Sequence, residues 1–74
     1  MAQVLNLRER FGHRLRWIRR DRDLTQEEFA ELIGISVDFF SLIERGINAP
    51  SFETIDQISE RLNVPVTDLF SFED

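Results

Sequence analysis

At 74 residues with 42% apolar side chains, the chain holds material for one small core and is too short for a multidomain enzyme. It has no cysteine, which excludes a disulfide framework and thiol chemistry, and no run approaches the ~20 apolar residues of a membrane span. The net charge of -5 has the wrong sign for a generic polyanion binder, yet seven of the nine basic residues, all Arg, lie in the first 22 positions.

The opening MAQVLNL carries neither a basic segment nor an apolar run of the secretory kind, so the expected location is cytoplasmic. Leu7, Phe11, Leu15 and Ile18 then recur at helical spacing, and Asn6 with Glu9 offers a capping box, which predicts a first helix over residues 7–21. At about 100° per residue, Arg16, Trp17 and Arg20 fall away from the apolar stripe, whereas Arg8, Arg19 and Arg22 border it. Gly12 inside this helix costs roughly 1 kcal/mol against Ala, so its place there implies a close helix contact. Asp23 is expected to end the helix in the left-handed region.

Residues 25–46 read TQEEFAELIGISVDFFSLIERG. Thr25 with Glu28 forms a second capping box, and Phe29, Ala30 and Ile33 share one face. Gly34 stops that helix, Ser36 caps the next, and Phe40 and Ile43 make its apolar face before Gly46 closes it. A linker of only Gly34-Ile35-Ser36 forces a steep angle, with Ala30 small at the crossing and Ile35 filling the corner. This is the geometry of a helix-turn-helix, whose second helix, residues 36–45, suits the DNA major groove.

After the turn Ile47-Asn48-Ala49-Pro50, Ser51 caps a fourth helix with Ile55, Ile58 and Leu62 inward, and Asn63 caps its far end. Pro65 suits the first turn of a short fifth helix carrying Val66, Leu69 and Phe70, and residues 71–74 are expected to fray. The expected fold is all-α, one five-helix domain across residues 1–74 with its core in about 7–70. No strand pattern or repeat competes.

From about Leu7 to Phe70 the chain resembles the Cro/C1-type helix-turn-helix family of phage repressors and bacterial regulators, with a lambda-repressor-like fold. The resemblance rests on FGHRLRWIRRDRDLTQEEFA, LIGIS, IERG, PSFETI and LNVPVTDLF in that order. It implies a sequence-specific regulator of double-stranded DNA, repressor-like, binding as a homodimer to a two-fold symmetric operator. Phosphate contacts are implied for Thr25 and Gln26 at the second helix, for Arg45, Gly46 and Asn48 after the third, and for Ser51 and Phe52 at the fourth. It also implies a partly buried salt bridge between Arg19 and Glu44.

Ser36, Val37, Asp38, Phe39, Ser41 and Leu42 would then face the bases, an unusually apolar and acidic set. Three readings of that surface stay open. The apolar residues touch thymine methyl groups while Asp38 and Ser41 hydrogen-bond base edges; or the face packs against a protein partner, as in an antitoxin or antirepressor; or Phe39 and Leu42 belong mostly to the core. Leu69, Phe70 and Phe72 are the expected symmetric dimer contact, and Trp17 is a second candidate partner residue.

An enzymatic reading has little to stand on. His13 is the only histidine and has no Ser or carboxylate constellation, and Glu27 and Glu28 are adjacent on a helix and diverge. The residues suggest no metal site, cofactor or small-molecule substrate.

Overall fold

The computed structural model describes residues 5–72. The chain runs through α1 (Leu7–Asp21), α2 (Gln26–Ile33), α3 (Val37–Glu44), α4 (Phe52–Leu62) and α5 (Val66–Leu69), with no strand among the described residues. Both capping boxes form. Asn6 Oδ1 accepts from Glu9 N–H at 2.9 Å while Glu9 Oε1 accepts from Asn6 N–H at 3.0 Å, and Thr25 and Glu28 repeat the exchange at 3.1 and 2.9 Å. Gly34 ends α2 at φ +80°, a left-handed conformation that lets the chain turn straight into α3. Asp23 and Asn63 take the same region, at φ +58° and +57°. Pro65 stands just outside α5, extended at φ -67° and ψ 152°, and its fixed φ leads into the helix.

The core draws on all five helices. Phe11, Leu15 and Ile18 of α1 meet Phe29, Ala30 and Ile33 of α2, Phe40 and Ile43 of α3, Ile58 and Leu62 of α4, and Leu69 of α5. Phe29 and Phe40 join α2 to α3 with ring centroids 5.1 Å apart. Ala30 is buried at that junction and Ile35 packs on the core at the corner. Gly12 explains how α1 crosses α3: a Cβ there would overlap the backbone carbonyl oxygens of Ile43 and Glu44, so two backbones touch where no side chain fits.

The arginine-rich helix proves to be a set of ties between elements. Arg22 Nη2 donates to Leu62 O at 3.1 Å, Arg14 Nε to Asp68 O at 2.7 Å, Arg19 Nη1 to Leu24 O at 2.9 Å and Arg8 Nη1 to Ile47 O at 3.3 Å. Carbonyls at helix C-termini lack intrahelical donors and carry the negative end of the helix dipole, so a guanidinium satisfies both needs. Arg22 and Arg14 do this for the ends of α4 and α5.

The expected dimer contact needs correction. Leu69 is 0% exposed and belongs to the core, because α5 is a single turn that must turn its one Leu inward to close the bundle, so it is not available to a partner. Phe70 packs on Phe11 at 5.1 Å, and Phe72 lies edge-on to Phe70 at 6.0 Å with the Arg10 guanidinium 5.2 Å from its ring centroid. Phe72 is therefore held against α1 instead of fraying. The remaining tail residues, Glu73 and Asp74, lie outside the described residues.

Candidate nucleic-acid interface

Ser36 Oγ accepts from Phe39 N–H at 3.1 Å and starts α3. The helix then divides its side chains by period. Phe40, Ile43 and Glu44 turn inward and are buried. Asp38 and Arg45 are exposed, with Ser41 and Leu42 half-buried between them, a spacing that makes one outward stripe along the helix. Val37 and Phe39 are half-buried and pack on the core, so of the six expected base-facing residues these two offer only part of their surface.

Behind that stripe sits Glu44, 1% exposed and the only buried charged residue among those described. Arg19 donates from Nε to Oε2 at 2.6 Å and from Nη2 to Oε1 at 3.4 Å. Gln26 Nε2 donates to Oε1 at 2.8 Å, and Arg16 Nε stands 3.6 Å from the same oxygen. Burial alone pushes the Glu44 carboxyl up; the hydrogen bonds from Arg19 and Gln26, with the charges of Arg19 and Arg16, outweigh it and hold the group below the ordinary glutamate value. Glu44 is thus an anion at neutral pH, and its Gln26 bond fixes the N-terminus of α2 beside the C-terminus of α3.

That junction sets the chemistry at α2. Thr25 satisfies Glu28 N–H, which leaves the N–H groups of Gln26 and Glu27 without intrahelical acceptors at the positive end of the dipole. One of the two amide hydrogens of Gln26 goes to Glu44, and the other is free for a second acceptor. Glu27, next to Gln26, is exposed and opposes any anion there.

Just past the C-terminus of α3, Arg45 Nε lies back toward Ser41 O at 3.4 Å, and Ile47 and Asn48 donate their N–H groups to Leu42 O at 3.0 and 3.3 Å. Gly46 sits at φ +76° to make this turn. Ser51 Oγ caps α4 by accepting from Thr54 N–H at 3.1 Å, and Phe52 beside it is 86% exposed, the least covered of the large apolar side chains described. Gln26 and Arg45 are brought to one end of the unit by the Glu44 junction. His13 is exposed, and no three His, Cys, Asp or Glu side chains among the described residues are grouped to hold a metal ion.

The pairing of Arg19 with Glu44 was readable from family likeness, but Arg16 and Gln26 as further Glu44 neighbours were not. Gln26 is 18 positions from Glu44, and no local spacing reveals a contact that depends on how α1, α2 and α3 cross.

A helix-turn-helix family model, HTH_3, matches residues 15–69. The chain belongs to this family. It is the Cro/C1 type recognised in the motif residues. Over 61 residues the chain is 34% identical to the cryptic phage CTXphi transcriptional repressor RstR of Vibrio cholerae, covering 82% of this chain and 55% of the repressor. It is 40% identical over 58 residues to the antitoxin PezA of Streptococcus pneumoniae, covering 78% of this chain and 37% of the antitoxin, so it spans about half or less of these two relatives. The solved structure of the restriction-modification controller protein C.AhdI from Aeromonas hydrophila superposes with a TM-score of 0.78 at 32% identity, covering 85% of this chain and 91% of that one.

Proposed function

We propose that this protein is a sequence-specific regulator of transcription, repressor-like and cytoplasmic, that places α3 in the major groove of double-stranded DNA. The observation that carries the reading is the division of α3: one side is locked to α1 and α2 through Phe40, Ile43 and Glu44, and the other presents Asp38, Ser41 and Leu42 outward. Asp38 accepts from cytosine N4, Ser41 bonds either kind of base edge, and Leu42 meets a thymine methyl group, with partial help from Val37 and Phe39. Thr25 and Gln26 at the α2 N-terminus bind one phosphate. Arg45, Gly46, Asn48, Ser51 and Phe52 hold the backbone beyond α3, with Arg45 supplying the charge-assisted contact.

A single unit reads few base pairs, so the protein acts as a homodimer on two half-sites about one helical turn apart. With Leu69 in the core, Phe70, Phe72 and the exposed Trp17 are the side chains left for that contact. The chemistry is binding without catalysis, and no cofactor is needed.

Selection of bound duplexes from a random pool, followed by salt titration of the winner, tests this. A two-fold symmetric motif and a shallow slope of log K against log salt are expected, because few phosphates are neutralised. A slope as steep as about -10 contradicts it. A second reading, an antitoxin-type module binding protein through the same face, draws on the likeness to PezA and on the apolar, acidic side chains of α3. Folded dimer with no enriched duplex selects that reading.

A further inference from the structure

Arg16 is tied to the Glu44 cluster in an unfinished way. Its Nε is buried without a hydrogen-bond partner, 3.6 Å from Glu44 Oε1, whereas its side chain as a whole is 38% exposed. The same carboxylate oxygen receives Gln26 Nε2 at 2.8 Å, so Arg16 emerges from α1 beside the first residue of α2. Glu44 already has two donors from Arg19 and one from Gln26, which leaves it little need for a third cation at hydrogen-bond distance.

From this placement we infer that Arg16 is a DNA phosphate ligand, acting with Gln26 and the free N–H groups at the α2 N-terminus on one backbone phosphate. The inference rests on the DNA reading above. Glu44 brings both side chains to one junction: it takes one Gln26 hydrogen at 2.8 Å and attracts the Arg16 guanidinium, whose Nε stands 3.6 Å from the same oxygen while the side chain stays partly exposed. An arginine fork suits a phosphate oxygen pair, and it supplies the positive charge that Thr25 and Gln26 lack. The opposing carboxylates nearby are Glu27 and Glu28 on α2 and Glu44 itself; Glu28 is held in the capping box and Glu44 is covered by Arg19, so Glu27 is the one free competitor.

Salt titrations on the duplex selected by the wild type separate the possibilities. Arg16→Gln should make the slope of log K against log salt shallower by about 0.9 for each bound protomer, with Arg16→Lys keeping the wild-type slope. Arg61→Gln removes the same charge from the exposed last turn of α4, which lies by the C-terminal end of α2, and should leave the slope unchanged. An unaltered slope in Arg16→Gln, an equal loss in Arg61→Gln, or failure of Arg16→Gln to fold would each overturn the inference, the last by assigning the side chain to the buried cluster alone. If the folded wild type binds no duplex at low salt, the DNA reading itself fails and Arg16 has no phosphate to hold.

Discussion

The inner and outer sides of α3 obey different rules. On the inner side Phe40 and Ile43 are fully buried, Glu44 is held by Arg19 and Gln26, and Gly12 of α1 lets two backbones touch, so almost any change meets a neighbour. On the outer side Asp38 and Arg45 are exposed, and Ser41 and Leu42 are half-covered, so side chains there are free to vary without disturbing the fold. The lesson is that position and recognition are separable within eight residues: one side fixes where the helix stands and the other decides what it touches.

Loss of the Glu44 side chain should have the largest effect. Glu44→Ala leaves Arg19, only 13% exposed, without its counter-ion, which costs about 3–5 kcal/mol. For a domain of this size that lowers Tm by at least ~12 °C. An unchanged melting curve would remove the contrast between the two sides. The same group gives the contrast a pH signature. Because the Glu44 pKa is lowered in the fold, its contribution is complete above the unfolded value of about 4.3 and is lost as pH falls below it. The stability gap between wild type and Glu44→Gln should thus be flat near neutrality and narrow on acidification below about pH 4.3; a gap that widens there contradicts the assignment.

Gly12→Ala comes next. Alanine is the better helix former, yet its methyl meets two carbonyl oxygens of α3, and overpacking of this kind costs about 1–3 kcal/mol. Denaturant unfolding should show a lower midpoint, whereas a stabilised variant would mean that α1 and α3 stand further apart. Thr25→Ala removes one side of a capping box and should cost ~1 kcal/mol by the same measurement. The smallest change in stability belongs to Asp38→Ala, within about 0.5 kcal/mol, since its side chain is exposed. Its effect should appear in the base preference of the selected duplex.

Much of the frame was legible from local pattern. Asn6 with Glu9, Thr25 with Glu28, and Ser36 and Ser51 are caps whose partners lie three residues on, so spacing alone predicts them. Gly12 was legible as a close contact because a helix interior penalises glycine. What spacing does not encode is reach across the fold. Arg14 to Asp68, Arg22 to Leu62 and Gln26 to Glu44 depend on crossing angles between helices, so the spacing of the arginines along α1 does not reveal which carbonyls and carboxylates they reach. Leu69 failed for a different reason: a helix of one turn has too few positions to reveal which face is inward.

Titration of isotope-labelled protein with the selected duplex, followed through backbone amide chemical shifts, tests the central claim most directly. The account predicts that the amides of Gln26 and Glu27, of Asp38 through Leu42, and of Arg45 through Ala49 with Ser51 and Phe52 move together, while those of α5 respond only to dimerisation. Shifts centred on Trp17 and α5, with the outer side of α3 unmoved, would contradict it.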